Sequence, residues 1–337
     1  MSDLKSRSFV SAQMVADKAG VSRSAVSRTF TNGASVSEAT RTKVLAAASA
    51  LGYHVNHLAR VLRERSSIVC LVVADMTTPI RATMVDVLTR KLQAAGKITM
   101  VINTETDTES VSSALRQTLN YRADATVVLS GTPPAALIET CLANGQQVVL
   151  INRDDQLVGS HNLGVDNALA STEALFLLRR AGCQRLGVIT STAGTASLVQ
   201  RERTFVAAAQ AVGMQVAITA TGPTSYASGF ESARQVFGRS QAPDGVFCVT
   251  DLLALGFMDA ARHEFGLRIP QDLCIVGFDD IEQASWESYK LTTFAQPLTA
   301  MATHVVDLLL DPDAAGSERR LFEPVPVWRK SVRPSAS

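Results

Sequence analysis

A chain of 337 residues is too long for one small hydrophobic core, and a formal net charge of only +1 excludes a generally adhesive polycation. It opens without an apolar targeting core, and no uninterrupted apolar run approaches bilayer-spanning length, so a soluble, cytoplasmic protein with no membrane partner is expected. Cys70, Cys141, Cys183, Cys248 and Cys274 are scattered and odd in number, four of them in or beside apolar runs. That usage predicts buried free thiols in a reducing compartment rather than disulfides or a metal site.

From Met14 to Asn32 the sequence reads as two short helices joined by a tight turn at Gly20. Val15, Ala16 and Ala19 give the first helix its apolar face, and Val26 and Phe30, one turn apart, give the second its own. Ser22 stands where an N-cap belongs, so the second helix starts at about Arg23. With Val26 and Phe30 inward, Arg23, Ser24, Ser27 and Arg28 share the outward surface. Such a helix fits the major groove of DNA, an Arg near its N-terminus reaching a guanine edge while serines and the second Arg hold phosphates. The alternative is a helical hairpin with a solvated charged face. Ser37 predicts the cap of a third helix running through Leu51 and ended by Gly52, which closes a three-helix core. Tyr53 to Leu62, with Asn56 as a possible cap, holds about two helical turns, too few to be stable alone in water. Residues 1–66 carry ten Lys or Arg against four Asp or Glu, a net of +6 that leaves −5 for residues 67–337. This asymmetry is the footprint of a polyanionic partner.

Residues 67–337 alternate apolar runs with amphipathic stretches. Ile68–Val73, Ile98–Ile102, Ala125–Leu129 and Val148–Ile151 read as strands in the first half, with helical patterns over Met84–Ala95 and Val111–Tyr121 between them. Leu186–Ile189, Val246–Val249 and Cys274–Gly277 repeat the scheme. Near-continuous apolar strands alternating with helices mean parallel sheets covered on both faces. The expected fold is a small all-α helix-turn-helix domain followed by an α/β domain of two doubly wound parallel-sheet lobes facing each other across a cleft.

Ala19-Gly-Val-Ser22, Val26-Ser-Arg28, Val36-Ser37, Thr40-Arg41, Val44-Leu-Ala-Ala47, Leu51-Gly-Tyr53, Asn56 and Leu58-Ala-Arg-Val-Leu62 stand in one order and spacing. In that series the chain resembles the lactose-repressor and purine-repressor family of bacterial transcription regulators. The resemblance implies a repressor of catabolic genes acting as a homodimer on palindromic operator DNA. It places Arg23 and Ser24 at base-reading positions and Arg28 on the backbone, and makes Leu62 an apolar wedge in the minor groove. Ser22, Ser27, Asn32, Tyr53, Asn56 and His57 complete the expected DNA contacts. Met14 departs from the acidic residue usual in the first helix, and Val55 from the usual proline, which removes a fixed φ before the hinge.

The resemblance continues into a periplasmic-binding-protein-like effector domain through Asp75 and Pro79, Val149–Arg153, Val165-Asp-Asn167 and Val276–Asp280. It implies domains at 1–54 (helix-turn-helix), 55–66 (hinge helix and linker) and 67–337 (effector binding and dimerisation). The first lobe would take about 67–162 and 293–321, the second about 163–292 and 322–332. Carried over residue by residue, Arg201 grips effector hydroxyls or carboxylates, Asp279 accepts from them, and Ser130, Asn152 and Thr250, of the loop dipeptide Thr250-Asp251 where relatives often have Asn-Asp, add strand-end contacts. Ile80 and Arg81 stand where many relatives have two aromatic residues, and Thr224 where they have an aromatic platform. Fewer rings and an added Arg suit a small polar effector, a sugar, sugar acid or sugar phosphate, with an anionic group meeting Arg81. The alternative is that Arg81 faces solvent. Glycine-rich phosphate loops, metalloprotease and esterase motifs are absent, and the five His show no ligand spacing, so no catalytic residue, metal or cofactor is expected. A doubly wound enzyme, or a solute-binding protein of transport, is the competing reading.

Overall fold

The computed structural model describes residues 10–31, 34–53, 67–105, 107–129, 133–153, 158–238, 241–311 and 317–334. It divides into two compact units, residues 1–66 and 67–337.

Among the described residues the first unit holds three helices. α1 (Ala12–Ala19) is capped by Ser11 and ends on Gly20, whose left-handed φ of 66° lets the chain reverse without a Cβ penalty. α2 (Arg23–Thr29) follows at once, with Ser22 Oγ accepting from the Ala25 N–H at 3.2 Å. α3 (Glu38–Leu51) runs from the Ser37 cap to Gly52. Val15, Ala16, Val26, Val44, Ala47 and Ala48 form the core, with Phe30 and Tyr53 packed on it, ring centroids 5.7 Å apart. The Arg41 guanidinium donates to the Thr29 carbonyl at 3.2 Å and ties α3 to α2. So few buried side chains leave the caps a large share of the stability. Ser37→Ala is expected to cost this unit about 1 kcal/mol, read as a lower midpoint for its helical signal in urea; an unshifted midpoint contradicts the cap.

The second unit holds two parallel sheets. β1 (Ile68–Ala74), α4 (Pro79–Ala94), β2 (Ile98–Thr104), α5 (Thr108–Asn120), β3 (Ala125–Val128), α6 (Ala135–Ala143), β4 (Gln147–Ile151) and β5 (His161–Val165) wind the first. Its strand order is β2-β1-β3-β4-β5-β11, the last being the late strand β11 (Arg319–Phe322). α7 (Asn167–Arg180), β6 (Leu186–Thr190), α8 (Ala196–Ala211), β7 (Val216–Ala220), α9 (Tyr226–Phe237), β8 (Gly245–Cys248), α10 (Asp251–His263) and β9 (Cys274–Val276) wind the second, ordered β7-β6-β8-β9. The chain then crosses back through β10 (Thr293–Ala295) to α11 (Leu298–Leu310), which packs on α4, and returns from β11 to β12 (Val325–Val327), paired antiparallel with β10.

β1 and β3, and likewise β6 and β8, are adjacent strands whose connections leave in opposite directions. The crevice that forms there, outside the carboxyl ends of the strands, is where doubly wound sheets take ligands. All five cysteines are free and buried. No described helix is long and apolar enough to cross a membrane.

Candidate functional site

α2 buries Val26 and Thr29 and exposes Ser22, Arg23, Ser24, Ser27 and Arg28. The Arg28 Nε–H donates to the Ser24 carbonyl at 3.4 Å, which lays its guanidinium along the helix. Ser22 and Ser24 hydroxyls lie 2.9 Å apart. Arg23, on the first turn, has no partner among the described residues, so its five donors are available to another molecule. Tyr53 is half-buried on Phe30. Asn32, Asn56, His57 and Leu62 lie outside the described residues. Arg23→Ala is expected to lose about 1–3 kcal/mol of discrimination at one symmetric base pair, whereas Arg28→Ala weakens all sequences alike. Titration of both variants against a panel of single-base duplex variants checks this; an unchanged base preference in the Arg23 variant would refute it.

In the second unit Arg201 and Asp279 meet. Arg201, on α8, is buried, and two of its three guanidinium nitrogens have partners among the described residues. Nε–H donates to Asn167 Oδ1 at 2.8 Å, and Nη1–H to the Val249 carbonyl at 2.8 Å and to Asp279 Oδ1 at 3.5 Å. Its plane lies 3.4 Å above the Phe278 ring centroid. Asp279 follows β9 in a left-handed conformation, φ 125°. Its N–H donates to the Phe294 carbonyl at 2.9 Å, and Oδ1 accepts from Gln296 Nε2 at 2.6 Å. Burial raises the Asp279 carboxyl to about 6, against the opposing pull of Arg201, Gln296 and Arg81. Burial likewise lowers Arg201, against the carboxylates beside it.

Behind this pair stands Asp251, the first residue of α10 and fully buried. It accepts from the Thr293 hydroxyl at 2.5 Å and the Ile281 N–H at 3.0 Å, so it clasps the loop carrying Asp279 to the crossing strand β10. A Cβ at Gly277 would lie 2.2 Å from Asp251 Oδ1, so only glycine fits there. Burial, then the neighbouring Asp279 charge, raise Asp251 to about 7.

The remaining expected residues have work inside the fold. Asn152 sits at φ 57° after β4, and its Oδ1 accepts from the Val165 N–H at 3.2 Å. Thr250 caps α10, accepting from the Leu253 N–H at 3.4 Å. Ile80 packs against the core. Arg81 donates to the Ala74 carbonyl at 2.9 Å and to Asp75 Oδ2 at 3.0 Å, yet lies near enough to Asp279 to lower it. At the ends of β6 and β7, the Thr224 hydroxyl donates to Ser191 Oγ at 2.9 Å. Ser130 lies outside the described residues. Sequence reasoning missed Asn167, Phe278, Gln296 and Asp251 as parts of the site. Three of them belong to segments it quoted; Gln296 carries no signal.

Residues 13–56 match the model for bacterial regulatory proteins of the lacI family, and residues 177–332 that for a periplasmic binding protein-like domain. The HTH-type transcriptional repressor CytR of Escherichia coli (strain K12) is 28% identical over 326 residues, 95% of each chain. The HTH-type transcriptional regulator GalR of the same organism is 28% identical over 326 residues, 94% of each. The fold is that of the lac repressor dimer bound to operator and the anti-inducer ONPF, with a TM-score of 0.87 at 23% identity over 97% of this chain and 100% of that one. A helix-turn-helix unit joined to a two-lobed binding unit defines a sequence-specific DNA-binding transcription regulator, and not an enzyme. The chain carries a lacI-family helix-turn-helix domain and a periplasmic binding protein-like domain, and is homologous to the regulators CytR and GalR.

Proposed function

We propose that this regulator represses genes for the use of a carbon source and is controlled by a neutral, polyhydroxylated effector of the sugar class held by Arg201 and Asp279. Residues 1–54 read the operator, 55–66 form the hinge, and 67–337 hold the effector and dimerise, so that two copies read a palindrome in the cytoplasm. The observation that carries the reading is the buried Arg201–Asp279 pair with Asn167 and Gln296 around it. A guanidinium edge and a carboxylate side by side match the donor and acceptor of adjacent hydroxyls.

Charge narrows the ligand class. An anionic effector was expected from Arg81 as an uncommitted cation, but Arg81 is paired with Asp75, and Arg201 with Asp279. Two matched pairs leave no excess positive charge among these groups, which favours a neutral ligand over a sugar acid or phosphate. Related solved structures carry sugars by name: a CelR complex with cellobiose, 25% identical with a TM-score of 0.69 over 96% of this chain and 99% of that one, and a regulator from Enterococcus faecium with bound ribose.

Thermal-shift screening of the full chain against neutral sugars, sugar acids and sugar phosphates tests this. A ligand at a hundred times its dissociation constant adds about 2.7 kcal/mol. The expected result is a neutral sugar that raises the melting temperature and changes operator affinity in the wild type, but not in Asp279→Asn. A response confined to acids or phosphates, or one unaltered in Asp279→Asn, overturns the reading.

A further inference from the structure

Two thiols stand together at the amino-terminal ends of the second sheet's strands, the opposite end from Arg201 and Asp279. Cys274 opens β9 and pairs in register with Gly245, the first residue of β8. Cys183 lies between α7 and β6, over Gly245. A Cβ at 245 would lie 2.7 Å from the Cys183 Cβ and 2.8 Å from its Sγ. Register partners on neighbouring strands lie about 4.8 Å apart and share a face, so the missing side chain at 245 gives Cys183 the place beside Cys274. Their proximity lowers the Cys274 thiol and pushes the Cys183 thiol up.

One residue touches both sulfurs. The Arg333 backbone N–H donates to Cys274 Sγ at 3.3 Å, and its Nη2 donates to Cys183 Sγ at 3.3 Å. The remaining Arg333 donors hold the Ala181, Pro270 and Gln271 carbonyls, which pins residues 331–334 over the pair. On their other sides Cys183 reaches the Asp244 carbonyl at 3.4 Å and Cys274 the Pro270 carbonyl at 3.7 Å. The Cys183 thiol, then the Arg333 N–H and guanidinium, hold Cys274 near 7, below an ordinary thiol. Burial instead pushes Cys70, Cys141 and Cys248 upward. A thiolate beside a donor thiol and a guanidinium is the environment in which cysteines react.

We propose that Cys183 and Cys274 are a redox-active dithiol that closes to an intramolecular disulfide when the folded protein meets a hydroperoxide. The Cys274 thiolate attacks the outer peroxide oxygen, the O–O bond breaks, and the alkoxide or hydroxide released takes a proton. Cys274 becomes a sulfenic acid. The Cys183 sulfur then attacks the Cys274 sulfur, the S–O bond breaks, and the hydroxide leaves as water with the Cys183 proton. Two thiols are oxidised by two electrons and one peroxide is reduced. Closure removes the thiolate that Arg333 faces, and so loosens the segment whose Ser331 bonds both Ile275 of β9 and Thr292 beside β10. Both sulfurs are buried, so oxidation proceeds at the rate at which that segment opens.

The test is independent of any effector. The full chain is treated with hydrogen peroxide under native conditions, alkylated, unfolded and mapped by mass spectrometry without reduction. The expected result is the loss of two of the five thiols, a peptide linked through Cys183 and Cys274, and full recovery with dithiothreitol. Cys183→Ser should stop at a sulfenic acid on Cys274 that dimedone captures, while Cys141→Ser should cross-link like the wild type. Five alkylated thiols after peroxide, oxidation without the cross-link, a link between other cysteines or between chains, or a link formed only in denaturant would each overturn the proposal. Mapping of the wild type decides even if a serine variant fails to fold.

Discussion

Arg201→Ala is expected to abolish effector binding and to destabilise residues 67–337 by about 3–5 kcal/mol, because it strands a buried carboxylate. Asp279 and Arg201 are both nearly inaccessible, and among the described residues Gln296 alone would remain as a side-chain donor to Oδ1. The energetic signature separates this from a simple loss of packing. Adding Asp279→Asn to Arg201→Ala removes the unpaired charge, so the double variant should recover much of the lost stability while still failing to bind. Urea unfolding of the four proteins in the cycle measures the coupling. Additive losses would show that the two charges do not sense each other in the folded chain.

The second large effect is a dependence on pH set by Asp251 and Asp279. Burial holds their carboxyls near 7 and near 6, well above the ordinary value of 3.8 for an aspartate. A raised carboxyl means that the folded protein holds the proton more tightly than the unfolded chain. Their contribution to stability is therefore fullest where both states are protonated, falls as pH rises from about 4, and is lost once pH passes about 7. Between pH 5 and 8 this loss amounts to a few kcal/mol at 1.36 kcal/mol per unit. Asp251→Asn cannot ionise, so the variant should unfold with a markedly flatter pH profile than the wild type and gain relative stability at pH 8. Parallel profiles would mean that Asp251 keeps an ordinary carboxylate and that its solvation differs from the burial described.

What could be read in the sequence was what short-range rules determine. Ser22 and Ser37 announce their helices because an N-cap needs a side-chain acceptor next to an apolar face, and Gly20 and Gly52 announce the stops because left-handed backbone favours glycine. β1, β4 and β6 were legible as continuous apolar runs because parallel strands are covered on both faces. β5, His161–Val165, was not. Its polar residues are buried between β4 and β11, and an apolar pattern cannot report that. β11, with Arg319 and Arg320 on an edge, was hidden for the same reason.

At the site, chemistry was legible and commitment was not. Arg201 and Asp279 stand 78 residues apart, and only the family resemblance joined them. Asn152 reads as a polar strand end, yet its amide oxygen is spent on Val165. Arg81 reads as an uncommitted cation because its partnership with Asp75 depends on the left-handed turn at Asp75, φ 57°, which no residue type there requires. Asp251 reads as half of a loop dipeptide, and nothing local tells that it is buried against Gly277.

Selection of binding sites by the full chain from a randomised duplex pool tests the central claim most directly. A regulator that carries Arg23 and Arg28 outward on α2, in a unit of net charge +6, should enrich one inverted repeat, bound with an affinity that falls steeply with salt. The symmetric half-sites should each contain a position that becomes degenerate in Arg23→Ala. A pool that stays random after repeated rounds, with binding that tracks ionic strength alone, would contradict the account, because charge without base reading is non-specific attachment and not regulation at an operator.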